Sequence, residues 1–133
     1  MTDFPITVRI PHGVAVHTFE DFSNAAITTG TAKREWIVTF YGRIVDIICD
    51  SETAGSGGTS DIIDVNKNGT TLYTTQANRP TLLVGNTGMF TEAGVGPDAA
   101  LTVVPGDILS YDIDQIATTG GARFKIIIIC VER

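Results

Sequence analysis

The chain alternates apolar and polar residues over short stretches separated by turn residues, the period-two pattern of half-buried strands. Ile6, Val8 and Ile10 stand against Thr7 and Arg9, so Ile6 to Ile10 predicts a strand. Pro11-His12-Gly13 predicts a turn, and Val14 to Phe19 a second strand with Val14, Val16 and Thr18 on one face. Asp21 to Lys33 is small and polar and reads as a loop or a distorted short strand. Glu35 to Tyr41, with Trp36, Val38 and Phe40, and Arg43 to Cys49 predict two more strands about Gly42, a bulge or a corner. Ala54 to Gly58 reads as a flexible exposed loop.

Ser60 to Pro80 carries the sharpest local signal. Asp61 to Val65 and Thr70 to Thr75 are β-branched runs on either side of Asn66-Lys67-Asn68-Gly69. Asn-Gly suits the two central positions of a tight hairpin, because both residues accept a positive φ. The turn residues Asn66, Asn68 and Gly69 are therefore assigned to a hairpin. Asn78-Arg79-Pro80 ends it, and Thr81 to Val84 is a short strand. Gly85 to Asp98 predicts a long loop, a length usually given to function or contact. Ala99 to Val104 is a strand or a covering segment, followed by a Pro105-Gly106 turn. Asp107 to Ile116 alternates Ile108, Ser110, Asp112 and Asp114 against Leu109, Tyr111, Ile113 and Gln115. Thr118 to Gly121 predicts a hairpin turn. The apolar run Ile126 to Ile129 predicts a central strand buried on both faces.

Closely spaced strands without an amphipathic helix predict an all-β fold, an antiparallel two-sheet β-sandwich that is jelly-roll-like. The 133 residues suit one compact domain, with residues 1–34 expected as N-terminal strands or an arm that contributes to docking and 35–133 as the sandwich proper. The 14 glycines supply the turns such a fold needs.

Charge narrows the function. The net charge is −6, and Lys33-Arg34 is the one adjacent basic pair. A nucleic-acid binder needs a basic stripe to displace counterions, so nucleic acid is not expected as a partner. The longest apolar run is too short to span a bilayer, and the start lacks the basic and apolar regions of a signal peptide. The expectation is a soluble protein made in the cytoplasm, with no membrane partner.

Candidate chemistry is sparse. Asp64-x-Asn66-x-Asn68-Gly69 matches the first half of a calcium loop, but Thr75 stands where a bidentate Glu belongs. Asp107, Asp112 and Asp114 form an acidic group in which Asp112 and Asp114 share a strand face, and Asp107 suits a turn whose carboxylate accepts local N–H groups. His12 and His17 lack further ligands, and no nucleophile or phosphate-loop motif is present. The expectation is no enzyme, no metal and no cofactor. Cys49 and Cys130 are either buried thiols or, if their strands pack face to face, a disulfide. Trp36, Phe40, Tyr41, Tyr73, Tyr111 and Phe124 either fill the space between the sheets or stack on sugars. Met89 and Phe90 are an apolar pair within the long polar loop, expected to bury against a partner; Phe4 and Ile6 join them as candidate interface residues.

The D-V-N-K-N-G-T-T hairpin with Tyr73 and Thr74, Asn78-Arg79-Pro80, Pro105-Gly106-Asp107 leading into Tyr111 to Gln115, and the final apolar strand resemble the small β-domains of tailed-bacteriophage virion proteins. The resemblance runs from about Trp36 to the C-terminus; Met1 to Arg34 departs from it. It implies a non-enzymatic virion protein of the capsid decoration, head-fibre or tail-fibre type. A capsid decoration (cement) protein would be a homo-trimer on the capsid exterior, with the major capsid protein or another virion protein as partner. The alternative is a receptor- or carbohydrate-binding module of a phage head or tail fibre.

Overall fold

The protein was described from a computed structural model covering residues 13–21, 23, 25–82, 85, 88–91 and 101–133, with 21 and 88–91 described by backbone alone. The strands are β1 (Val14–Asp21), β2 (Gly30–Ile37), β3 (Gly42–Thr53), β4 (Asp61–Lys67), β5 (Thr70–Thr71), β6 (Thr81–Leu82), β7 (Gly88–Thr91), β8 (Thr102–Val103), β9 (Ile108–Gln115) and β10 (Ala122–Glu132). A 3-10 turn, Gln76–Asn78, separates β5 from β6.

The strands form two sheets, and every pairing is antiparallel. One sheet runs β1-β10-β3, with β7 and β8 sharing the outer edge of β3. The other runs β2-β9-β4, with β5 and β6 sharing the outer edge of β4. Among the described residues, counting β5 with β6 and β7 with β8 as interrupted edge strands leaves eight strands. Their pairing is nested: first with last, second with seventh, third with sixth, fourth with fifth. Alternate pairs fall in opposite sheets, which is the winding of a jelly roll.

The core is the space between the sheets. Ile44, Ile47, Cys49, Ile126, Ile128 and Cys130 enter from one side, and Ile63, Val65, Leu109 and Ile113 from the other. Tyr111 ties the layers together, its ring 5.2 Å from Phe19 and 5.6 Å edge-on from Phe124. Burial of such side chains contributes roughly 25 cal/mol per Å² of apolar surface. Cys49 lies opposite Ile126 and Cys130 opposite Ile44, both in one sheet, and neither cysteine forms a disulfide.

The central hairpin forms about Asn68-Gly69, but Asn66, assigned to the turn, is a strand residue of β4 paired with Thr71, because the ladder runs on through Lys67. Asn68 has φ 53° and Gly69 φ 83°, the left-handed pair a two-residue turn requires. Its second strand is shorter than expected, Thr70–Thr71 instead of Thr70 to Thr75. The Thr71 hydroxyl bonds the Asp64 carboxylate and accepts the Tyr73 N–H, which turns Leu72 and Tyr73 into the core.

Several further elements differ from the sequence reading. The strand expected at Glu35 to Tyr41 is Gly30–Ile37; beyond it, Val38 turns away to pair with Gly106 and Asp107. The bulge lies at Val45, skipped between the Ile129–Asp46 and Cys130–Ile44 pairs. Gly42 is a close-approach position, where a Cβ would lie 2.6 Å from the Val131 carbonyl oxygen. Thr118 to Gly121 is a crossover between sheets, because β9 and β10 belong to different ones. The Asp61 carboxylate holds it by accepting the Ala117 and Gly121 N–H groups at 2.8 and 2.9 Å. The Ser56-Gly57 backbone, expected to be flexible, is bonded to Thr118 and Thr119. The expected boundary between residues 34 and 35 falls inside β2, and β1 is a full member of its sheet. The strand and turn expected at Ile6 to His12 lie outside the described residues.

Candidate functional site

The two outer faces of the sandwich differ in chemistry. On the β1-β10-β3 face, alternation puts Phe19, Ile126, Ile128 and Cys49 inward and leaves Val14, Val16, Ile127, Ile129, Val131 and Ile48 outward. Val14 is 65% exposed, Val16 58%, and Val45, in the bulge, 52%. The expectation that β10 is buried on both faces therefore fails, since Val131 is exposed and Ile127 and Ile129 are half-buried. Val14 and Val16, an apolar alternation that would ordinarily mark the core side of a strand, belong to the solvent face. The same face ends in cross-strand ion pairs, Arg123–Glu52 at 3.2 Å and Lys125–Asp50 at 3.5 Å.

The candidate interface residues divide. Met89 and Phe90 belong to β7 instead of a loop, with Met89 in register with Asp50 and Phe90 with Cys49; their side chains lie outside what is described. The backbone of β3 had an open edge for this segment, a signal that no local pattern within Gly85 to Asp98 carries. Phe4 and Ile6 lie outside the described residues.

The β2-β9-β4 face is polar. Asp112 accepts the Ala32 N–H at 2.7 Å through Oδ1 and the Asn66 amide at 2.9 Å through Oδ2. Asp114 is paired with Arg79, and Asp64 with Thr71. Burial pushes the Asp64 carboxyl up, and the nearby Asp114 charge adds to this against the opposing Thr71 bond and Arg79 charge. Asp107 closes its turn by accepting the Val104 N–H at 2.9 Å and the Asn68 amide at 2.9 Å. Burial pushes Asp107 up, but these bonds and Lys67 outweigh it, and its pKa falls below the ordinary value. The three aspartates are thus spread over a turn, a strand and an ion pair.

Two oxygen ligands of the half-matched calcium loop are engaged locally, Asp64 by the Thr71 hydroxyl and Asn68 by the Ile108 N–H, while Asn66 is turned so that its amide N–H donates to Asp112. Among the described residues, no group of three or more His, Cys, Asp or Glu side chains is placed to hold a metal.

Where β1 and β2 run along the open edge between the sheets, a groove of about 650 Å³ is lined by His17, Glu20, Lys33, Arg34 and Glu35 among others. His17 stacks on Trp36 with ring centroids 4.5 Å apart and meets Phe19 edge-on at 4.6 Å. Burial lowers its pKa. His12 lies outside the described residues. Of the strand aromatics, Tyr73, Tyr111 and Phe124 are buried, Trp36 and Phe40 are half-buried, and Tyr41 is exposed. Most of the set therefore fills the core and does not form a stacking platform.

No family model matches the chain, and no curated protein is significantly similar to it in sequence.

Proposed function

We propose that the protein is a non-enzymatic structural component of a tailed-phage virion, a capsid decoration (cement) protein that assembles as a homo-trimer and binds the outer capsid surface. The observation that carries this reading is the apolar outer face of β1-β10-β3. Seven β-branched side chains (Val14, Val16, Val45, Ile48, Ile127, Ile129 and Val131) are left on one sheet face with partial or full exposure. Monomeric soluble domains seldom expose contiguous apolar patches beyond roughly a few hundred Å². The occupant assigned to this face is another copy of the chain. Its border carries both signs of charge in already paired groups, Arg123–Glu52 and Lys125–Asp50, so copies can approach without like-charge repulsion.

The virion setting rests on the hairpin and Asn-Arg-Pro resemblance. Bridging neighbouring capsid subunits would stabilise the shell by repeated burial at symmetry-related joints, each contact modest after association costs. The test is co-sedimentation of the purified protein with empty capsid shells assembled from the same phage. Saturable binding at fixed stoichiometry, with a higher shell melting temperature, is the expected result. Shells that neither bind the protein nor gain stability would reject the reading.

A further inference from the structure

Ser110 sits in the middle of β9, in register with Glu35 of β2 on one side and Asn66 of β4 on the other. Their inward neighbours Leu109, Tyr111 and Val65 are core residues, so these three positions belong to the outer face. Ser110 and Asn66 are nevertheless only 5% and 6% exposed. They lie at the bottom of an open cavity of about 390 Å³ on the sheet surface.

The cavity has built walls. One is the irregular start of β2, where Thr31, Ala32 and Lys33 stand opposite Asp112 alone. Ala32 is held there at φ 48°, an uncommon conformation for a non-glycine residue, by its N–H bond to Asp112. The opposite wall is the Asn68-Gly69 turn, and Ile108 adds an apolar side.

Two polar groups at the bottom have no partner among the described residues. The Ser110 hydroxyl makes no hydrogen bond to a described residue. The Asn66 amide donates to the Asp112 carboxylate, which fixes its orientation and leaves its carbonyl oxygen unused. Neither atom is sealed from solvent, so both are open to bond water or a ligand from the cavity.

The geometry points to a saccharide-binding site in this cavity, one that takes a neutral or amino sugar by its hydroxyl groups. Glu35 and Asp112 accept hydrogen bonds, Ser110 and Thr31 donate and accept, and Asn66 accepts. Ile108 and Ala32 offer apolar contact to the C–H face of a ring. Among the described residues no Lys, Arg or His lines the cavity, so anionic ligands are disfavoured. Its volume exceeds what a bare cation fills and falls within the small-molecule range. The site adds to the structural role proposed above and is independent of it, because it lies on the opposite sheet.

The test is an amide NMR titration of the full-length protein with glucose, galactose, N-acetylglucosamine and glucosamine, each to saturation or solubility. Saturable shifts centred on Ala32, Glu35, Asn66, Ser110 and Asp112 for at least one sugar are expected. Ser110→Val, which fills the dip with a strand-compatible side chain, should weaken that binding at least about tenfold without altering the spectrum elsewhere. Glu35→Gln, at the exposed rim, is the second variant should Ser110→Val fail to fold, and it too should weaken binding. Absence of shifts for the whole panel overturns the proposal. So does sugar binding left intact in the folded variants, or a response to calcium chloride alone that EDTA reverses.

Discussion

At the scale of single residues, burial governs the protonation of Asp64, His17 and Cys130. Asp64 lies on the outer side of β4 yet is only 6% exposed, and its carboxyl is pushed up by desolvation. Because folding raises this pKa, the folded state holds the proton more tightly. The resulting stabilisation is complete below the ordinary value of 3.8 and is lost as pH rises through the folded value. Asp64→Asn keeps an acceptor for the Thr71 hydroxyl and removes the buried charge. Thermal melts should show the variant more stable than the parent at pH 7 and equal to it near pH 3. Burial likewise pushes the Cys130 thiol up to about 11, and both cysteines have no exposed surface. A thiol reagent at pH 8 should label neither in the native protein and both after denaturation.

At the scale of elements, the legible parts of the sequence were those decided by neighbours in the chain. The Asn68-Gly69 turn, the alternation of β9 and the apolar run of β10 all appear where the pattern places them. Elements decided by distant partners did not show. β7 exists because the edge of β3 accepts Gly88–Thr91, a segment whose own composition reads as loop. Thr118 to Gly121 reads locally as a hairpin turn because nothing nearby in the chain reveals that Asp61, some sixty positions earlier, anchors the crossover. Asp61→Ala strands two N–H groups in the interior and should lower unfolding free energy by about 3 kcal/mol in denaturant titrations. His17 joins β1 to β2 by stacking on Trp36, and burial lowers its pKa from 6.5. The unfolded chain then binds the proton more readily, so stability falls as pH drops from 6.5 toward the folded value. Glu20, Lys33, Arg34 and Glu35 line the same groove. His17→Phe retains a stacking ring and should abolish that share of the acid sensitivity, read as the difference between the two proteins' melting curves from pH 7.5 to 5.

At the scale of the whole molecule, a nested jelly roll gives two outer faces pointing in opposite directions. One is β-branched and apolar, the other polar and indented. The candidate sites were the least legible feature of the sequence for this reason. The apolar face is assembled from β1, β10 and the β3 bulge, and the cavity from β2, β9 and β4, so each needs three strands brought into register. In the sequence Met89 and Phe90 stand out as a hydrophobic pair in a polar stretch, whereas Val14 and Val16 read as ordinary core alternation. The proposed trimer places the apolar face between copies and leaves the indented sheet toward solvent. Light scattering on a sizing column, comparing the parent with a Val16→Asp, Val131→Asp double variant, tests this most directly. The expected result is a parent particle of three times the 14.2 kDa chain mass and a variant that is monomeric with an unchanged melting temperature. A parent that elutes as a monomer, or a folded variant that remains trimeric, would contradict it.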